Sequence, residues 1–278
     1  MNSRLSPLAR VKQRLVCLIL LLLPLAGCDR IKSTYEAWLR PHRPTESGHP
    51  PHSARATLPG PRLAIILDDV GADSSAVDAI FSLPYPLTLS ILPNHPRSTK
   101  IAEEARQRGY EVMLHLPMES VANEVPESQE LRPGMSSSEI SSLLNSMLES
   151  VPSATGVNNH QGSLATANPQ LMAELMPLLR RRHLFFIDSR TTAATVAFDR
   201  AASAGVRSAF RNVPFLDDVQ EISAVRRQLE LAFKEAREKH EAIAIGHPHP
   251  ETLRALAELL PQAKAQGVRL VEASALVH

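Results

Sequence analysis

The chain from residue 61 onward consists of short apolar runs that alternate with segments of helical pattern. Each run has the length and composition of a strand that is buried on both faces. Strand followed by helix, repeated along the chain, is typical of a mostly parallel sheet that is closed as a barrel or doubly wound. The runs cover residues 63–67, 87–91, 111–114, 154–157, 184–187, 206–210, 242–245 and 268–271.

The length of this region favours a small barrel. Residues 61–278 number fewer than the roughly 250 that a complete eight-unit (β/α) barrel usually needs. The composition, 44% hydrophobic and 21% charged, is that of an ordinary globular protein. We therefore predict a single α/β domain over 61–278 that forms a distorted or incomplete parallel (β/α) barrel.

The N-terminal residues have the pattern of an export signal. Basic residues precede an apolar core at 15–23, which is too short to span a membrane comfortably. The next residues, Leu-Ala-Gly-Cys at 25–28, resemble the lipobox of bacterial lipoproteins, in which the cysteine is lipidated. We predict a signal peptide over 1–28 and a lipid anchor at Cys28, with an uncleaved anchor as the alternative. Either arrangement tethers the protein to the membrane.

The residues after Cys28 predict where the domain lies. In bacterial lipoproteins, an aspartate directly after the lipidated cysteine signals retention in the inner membrane, and Asp29 has that position. The resemblance thus implies a protein on the periplasmic face of the inner membrane if the organism is Gram-negative. Residues 29–60 are rich in proline and lack apolar periodicity, so we predict an extended linker between the anchor and the domain.

Charge and cysteine content exclude two classes of site. The 30 basic and 29 acidic residues nearly cancel, and no long basic block is present, so the chain has no electrostatic footprint for nucleic acid. Both cysteines, Cys17 and Cys28, lie within the predicted signal region. A metal site in the domain must therefore use histidine, aspartate or glutamate as ligands.

Polar residues follow most of the predicted strands. In a parallel barrel the carboxyl ends of all strands meet at one mouth, where chemistry is usually placed. Histidine and carboxylate ligands without thiols suit zinc or another divalent first-row metal, and hydrolysis is the matching chemistry. The residues at these strand ends are Asp68, Asp69, Asn94, His95, His115, Asn158, Asn159, His160, Asp188, Ser189, Arg190 and His247.

The adjacent residues Asp68 and Asp69 can act together only if the backbone departs from a regular strand. Neighbouring residues of a strand point to opposite faces, so the two carboxylates can share a site only if the strand bends, and Gly71 permits a bend. One acid can then bind a metal while the other handles a proton. The alternative is that one acid caps a helix beginning near Asp73 while the other is solvated.

Five motifs resemble those of the divergent polysaccharide deacetylases, a branch of the NodB-like carbohydrate esterases. They are Leu-Asp-Asp-Val-Gly at 67–71, His-Leu-Pro-Met-Glu at 115–119, Asn-Asn-His-Gln-Gly-Ser at 158–163, Phe-Ile-Asp-Ser-Arg-Thr at 186–191 and Ile-Gly-His-Pro-His-Pro at 245–250. The resemblance covers essentially residues 61–278. It implies a distorted barrel of about seven strands, a divalent metal, and hydrolysis of an N- or O-acetyl group on a glycan.

The resemblance also implies roles for individual residues. The double aspartate of the general family supplies the catalytic base and a metal ligand, which match Asp68 and Asp69. Its second motif has two histidine ligands four residues apart, and this chain has His115 followed by Glu119. The third ligand is therefore either His160, which we favour, or Glu119.

The remaining motif residues also receive roles from the resemblance. The acid for the leaving group matches His247, and an acid that orients or tunes its partners matches Asp188. We predict that Asn159 contacts the substrate. Arg190 either holds a charged group of the substrate or pairs with a carboxylate.

The sequence therefore predicts a membrane-tethered, metal-dependent deacetylase that acts on a cell-envelope glycan or saccharide, with zinc as the expected divalent metal. Aromatic residues make up only 4% of the chain and the single tryptophan, Trp38, lies in the linker, so platforms for stacking sugars are scarce. A short saccharide or a peptidoglycan fragment is as compatible with this composition as an intact polymer. The alternative function is a degenerate barrel that binds glycan or protein without turnover, and Glu119 at a histidine position keeps that alternative open.

Overall fold

The computed structural model describes residues 60–72, 76–121 and 127–278. The predicted signal peptide, Cys28 and the linker up to residue 59 lie outside the described residues. Within the described residues, no helix is both long enough and apolar enough to cross a membrane.

Every predicted apolar run overlaps a strand. Each helix lies between two strands, as the alternating pattern predicts. The strands are β1 (Arg62–Val70), β2 (Thr88–Ile91), β3 (Glu111–Met118), β4 (Gly156–Gln161), β5 (Phe185–Asp188), β6 (Ser208–Phe210), β7 (Glu241–Gly246) and β8 (Arg269–Val271). The helices are α1 (Val77–Phe81), α2 (Ser98–Gln107), α3 (Ser137–Ser150), α4 (Pro169–Arg181), α5 (Ala197–Ser203), α6 (Ile222–Lys239) and α7 (Pro250–Leu259).

Side-chain caps fix where two of the longer helices begin. The Ser136 hydroxyl accepts the backbone N–H of Glu139, and the Glu139 carboxylate accepts the N–H of Ser136, which is a capping box at the start of α3. Asn168 Oδ1 accepts the N–H of Leu171 at 2.8 Å, and Pro169 occupies the first turn of α4. Serine followed three residues later by glutamate, and asparagine followed directly by proline, are sequence patterns typical of helix starts.

The sheet is parallel and nearly closed. Its strands follow the order β6-β5-β4-β3-β2-β1-β7, and β8 pairs with β1 outside this series. Residues after β6 bridge the remaining gap, because the N–H groups of Asn212 and Leu216 donate to Ile243 and Ile245 of β7 at 3.0 and 2.9 Å. The predicted distorted parallel barrel of about seven strands is confirmed, with β8 as an additional short strand.

Alternation along the strands separates two apolar regions. Residues such as Leu63, Ile65 and Leu67 of β1 face outward and pack under the helices in the larger core cluster. Residues on the opposite face fill the barrel interior, together with the C-terminal 3₁₀ helix Ala273–Leu276. The inner cluster consists of Ala64, Ile66, Met113, Phe185, Ile187, Ile243, Ile245, Ala273, Leu276 and Val277.

The same alternation places a layer of polar side chains next to the inner cluster, on the side of the carboxyl ends of the strands. The next inward position on each strand is two residues further along the chain, and at that level the side chains become polar. These residues are Asp68, Ser90, His115, Asn158, Ser189 and His247. The fold therefore gathers the polar residues of six strand ends at one mouth of the barrel.

The packing of the barrel interior can be tested by substituting one glycine. Gly156 pairs with Phe185 across β4 and β5, and a Cβ at position 156 would overlap the buried Phe185 ring. We predict that Gly156→Ala destabilises the protein by about 1–3 kcal/mol, the usual cost of overpacking. Urea unfolding of Gly156→Ala, Phe185→Leu and the double variant measures this effect. The double variant should be more stable than the sum of the two single effects predicts, and strict additivity would contradict the clash.

Candidate active site

The end of β1 breaks the regular alternation of the strand. The register of β1 against β2 shifts between Leu67 and Val70, and Asp69 has a positive φ of 55°. Aspartate tolerates this left-handed conformation better than most residues do. As a result Asp68 keeps its inward position and Asp69 also turns toward the mouth. The predicted bend is therefore present, and it lies at Asp69 itself as well as at Gly71, whose φ is 107°.

Three potential metal ligands converge at this point. Asp69 Oδ1 lies 3.1 Å from His115 Nε2 and 2.9 Å from His160 Nδ1, and the two nitrogens are 3.1 Å apart. Bonds of about 2.0–2.1 Å in a tetrahedral zinc site place neighbouring ligand atoms about 3.3 Å apart. Asp69 Oδ1 is buried and accepts no hydrogen bond of acceptable geometry from the described residues. The cluster therefore fits a small divalent cation.

The register of β3 and β4 explains why these two histidines meet. His115 is paired with Asn158, and Pro117 is paired with His160. His160 therefore lies two residues beyond the partner of His115, on the same face of the sheet.

Asn158 holds the neighbouring groups in defined orientations. Its Nδ2 donates to Asp68 Oδ1 at 2.8 Å, and its Oδ1 lies 2.8 Å from His115 Nδ1 and accepts from the Ser90 hydroxyl. An amide oxygen only accepts, so His115 Nδ1 carries the hydrogen and Nε2 presents its lone pair to the cluster. Asn158 thus prepares His115 as a ligand and holds Asp68 beside it.

The two aspartates have different electrostatic environments. Burial raises the pKa of the Asp68 carboxyl, although His115, His247 and Asn158 counteract part of that effect. For Asp69 burial also favours the neutral form, but the close approach of the His115 and His160 imidazoles to its carboxylate outweighs burial and holds the pKa well below its usual range. Asp69 is therefore suited to bind a cation, and Asp68 is the better proton acceptor.

His247 faces the cluster from β7 and is oriented by Asp217. Its Nδ1 lies 2.9 Å from Asp217 Oδ1, and Asp217 Oδ2 accepts from the backbone N–H of His247 at 2.6 Å and from Thr252 Oγ1 at 2.7 Å. Burial disfavours the imidazolium, but Asp217 outweighs it, with smaller contributions from Asp68 and Asp69, and the pKa of His247 rises to about 9. His247 Nε2 lies 3.9 Å from Asp69 Oδ2, so its free side is directed at the cluster.

Asp217 was not among the residues predicted from the sequence. It lies between β6 and α6, in a segment that is not a strand end. One signal was available, because Leu-Asp-Asp-Val at 216–219 repeats the four residues at 67–70. The repeat is a second pair of adjacent aspartates after apolar residues.

The role predicted for Asp188 needs correction. Asp188 lies on the outward face of β5, because Phe185, Ile187 and Ser189 occupy the inward positions. Its carboxylate accepts from the N–H of Arg190 and from Thr195 Oγ1, both at 2.8 Å. Asp188 therefore organises the loop between β5 and α5, and the acid that orients His247 is Asp217.

Asn159 also has a different role from the one predicted. It follows the inward Asn158, so its side chain is buried on the other face of β4. Its Oδ1 accepts from the N–H of Ser189 at 2.9 Å, and its Nδ2 donates to the Gln161 carbonyl at 2.8 Å. Asn159 thus fixes the ends of β4 and β5, and its amide is not directed at a substrate.

Arg190 lies exposed at the rim of the mouth. Its guanidinium stacks over the ring of Phe210 at 3.5 Å from the ring centre. No ion pair with a carboxylate forms at Arg190 among the described residues, so the pairing alternative lacks support there. Contact with a charged group of a substrate stays a prediction.

Glu119 is not part of the cluster. Four residues of an extended strand span about 13 Å, so a ligand at position 119 lies well beyond His115 along the chain. The cluster that the structure forms consists of Asp69, His115 and His160. Glu119 instead contacts its surroundings through the backbone, where its N–H donates to Leu131 and its carbonyl accepts from Leu164 and Ala165.

Comparisons with known proteins agree with this fold. The family model described as divergent polysaccharide deacetylase matches residues 65–277. An uncharacterized protein of Haemophilus influenzae is 42% identical over 195 residues, which make up 70% of this chain and 69% of that protein. The crystal structure of an uncharacterized protein of Agrobacterium tumefaciens has a TM-score of 0.76 at 23% identity, over 80% of this chain and 92% of that one.

The solved structure of a peptidoglycan deacetylase shares the fold at lower similarity. Peptidoglycan deacetylase PdaC of Bacillus subtilis has a TM-score of 0.50 at 14% identity, over 78% of this chain and 90% of that one. At this identity the likeness shows the fold alone. The match to the family model extends over most of the chain, and the chain therefore belongs to the divergent polysaccharide deacetylase family.

Proposed function

We propose that this protein is a metal-dependent hydrolase that removes acetyl groups from a cell-envelope saccharide. The observation that carries the proposal is the cluster of Asp69, His115 and His160, with Asp68 on one side and His247 on another. Membership of the divergent polysaccharide deacetylase family supports the same chemistry.

The ligand atoms of the cluster suit zinc or a similar first-row ion. Two imidazole nitrogens and one carboxylate oxygen are the mixed ligand set found in catalytic zinc sites, which keep a position open for water or substrate. A divalent ion held there would polarise the acyl carbonyl and lower the pKa of a water molecule, which is the chemistry that a metal supplies to hydrolysis.

Asp68 is proposed as the general base. Asn158 holds one of its oxygens, and the other lies 3.7 Å from His115 Nε2, beside the cluster. Burial raises the pKa of this carboxyl, which makes the carboxylate a stronger base than an exposed aspartate. It is therefore suited to take a proton from the attacking water.

His247 is proposed as the general acid. With a pKa of about 9 the imidazole is protonated at neutral pH. Asp217 binds Nδ1 and stabilises the positive charge, while Nε2 is directed toward the cluster. His247 can thus donate a proton to the departing amine or alcohol, after which the acetate is free to leave.

The same cluster bears on the alternative function from the sequence. A binding module without turnover was suggested by Glu119 at a position where the general family has a ligand histidine. Because His160 supplies the third ligand atom of the cluster, the identity of residue 119 no longer argues for a missing metal site.

The proposed substrate is a saccharide with an anionic group. The exposed guanidinium of Arg190 lies at the rim of the mouth, stacked on Phe210, and forms no ion pair among the described residues. Its charge can therefore meet a carboxylate or phosphate of the substrate. A peptidoglycan fragment combines such a group with acetylated sugars, and the periplasmic location proposed from Cys28 and Asp29 brings the domain to it.

Asp68→Asn tests the assigned base. An amide cannot accept the proton, so acetate release from N-acetylated oligosaccharides and peptidoglycan fragments should fall about 10²–10⁴-fold. The content of bound metal, measured on the same samples, should stay the same, because Asp69, His115 and His160 are intact. The matched control is Asp218→Asn, which neutralises an exposed aspartate and should retain activity.

Two results would contradict this assignment. Full activity of Asp68→Asn on a substrate that the wild type cleaves would show that another group is the base. Undiminished activity of the wild type after complete removal of metal by a chelator would contradict metal dependence.

Cys28→Ser tests the proposed lipid anchor. The hydroxyl cannot replace the thiol in lipid attachment, so the variant should take up no labelled palmitate and should leave the membrane fraction. The matched control, Cys17→Ser, changes the other cysteine of the signal region and should keep both properties. Palmitate labelling and membrane fractionation measure the outcome. A wild type that takes up no label would show that the anchor is not a lipid.

A further inference from the structure

A second group of metal-ligating side chains lies beside the first cluster. Asp217, His247 and His249 each offer one ligand atom, and these atoms lie within 4.8 Å of one another. Asp217 is buried, and both histidines are half-buried, so a dissolved ion can reach the imidazoles. His249 has no part in the function proposed above.

We propose that Asp217, His247 and His249 form a second divalent-cation site, which binds more weakly than the first and inhibits the enzyme when it is filled. The donors are again two imidazoles and a carboxylate, a set that suits zinc. The existence of the site rests on this geometry alone, whereas the inhibition rests on the proposed function.

The backbone holds the two histidines on the same side of the chain. His249 N–H donates to the His247 carbonyl at 2.8 Å, with Pro248 between them, and the two rings lie 5.8 Å apart at an angle of 40°. The turn is further fixed because α7 begins directly after His249, which is its N-cap residue. Binding of an ion by the two imidazoles would therefore cost little backbone entropy.

His249 presents a nitrogen that can coordinate. Its Nε2 lies 3.1 Å from the amide nitrogen of Gln220. An amide nitrogen is a donor, so His249 Nε2 carries a lone pair in this arrangement. An ion would replace this single exposed hydrogen bond, which is worth little in contact with water.

The second site should bind more weakly than the first for a structural reason. His247 Nδ1 and Asp217 Oδ1 share a hydrogen bond of 2.9 Å, and a cation bound between these atoms must displace its proton. The Asp217 carboxylate also accepts from the His247 backbone N–H and from Thr252 Oγ1, so less of its charge is free for an ion.

Occupancy of this site would remove the general acid. A cation on Nε2 of His247 replaces the proton that is donated to the leaving group. A cation on Nδ1 breaks the bond to Asp217 that orients the ring. Either way, excess metal should inhibit the reaction that the first ion supports.

Equilibrium dialysis of the full chain against Zn²⁺, followed by elemental analysis, tests the site without a substrate. His249→Asn should lose about one weakly bound zinc relative to the wild type and keep the tightly bound one, because an amide is a poorer ligand than imidazole. Asn is also a favoured N-cap, so α7 should still begin normally. Asp69→Asn should instead lose the tightly bound zinc and keep the weakly bound one.

The matched control is His183→Asn, which removes an exposed imidazole at the opposite end of β5. His183 has a φ of 58°, which Asn tolerates. This variant should bind zinc like the wild type. Zinc binding by His249→Asn that equals the wild type at every concentration would overturn the proposed site.

Acetate release then tests the inhibition. For each protein, the rate in excess zinc is divided by the rate at one equivalent of zinc. This ratio should be well below one for the wild type and near one for His249→Asn. Equal ratios would overturn the inhibitory role. If no variant releases acetate, the proposed function fails, and the dialysis still decides whether the second site exists.

Discussion

The candidate site depends on one break in the regular structure of β1. In an unbroken strand Asp69 would point outward to the helices, and the cluster would consist of two imidazoles without a carboxylate. The left-handed backbone at Asp69 turns its side chain toward His115 and His160. Such a conformation costs roughly 1–3 kcal/mol. Pairing with β7 on one edge and with β8 and β2 on the other fixes β1 in place and offsets this cost.

A single buried amide then connects the strands around that break. Asn158 of β4 is hydrogen-bonded to Ser90 of β2, His115 of β3, Asp68 of β1 and Ser189 after β5. In a buried environment such a network is strong when it is complete and costly when one member is missing. This network gives the two aspartates different roles. Asp68 is held by the Asn158 amide, whereas Asp69 contacts the imidazoles of His115 and His160.

The fold and much of the site could be predicted because they follow from local pattern. Apolar runs identify the strands, and the carboxyl ends of parallel strands must meet. Strict alternation would also have placed Asp188 and Asn159 on the outward face. The sequence favoured His160 but left Glu119 open as the third ligand, since the decision depends on the register of β3 against β4. Asp217 was missed because it lies outside the strands and reaches His247 only through the tertiary fold.

The central claim is that Asp69, His115 and His160 together hold one divalent ion. A crystal of the protein loaded with one equivalent of zinc, with anomalous diffraction measured at the zinc edge, tests this claim most directly. We predict one strong peak about 2.0–2.2 Å from Asp69 Oδ1, His115 Nε2 and His160 Nδ1. A peak coordinated by Glu119 in place of His160, or no peak between these three atoms, would contradict it.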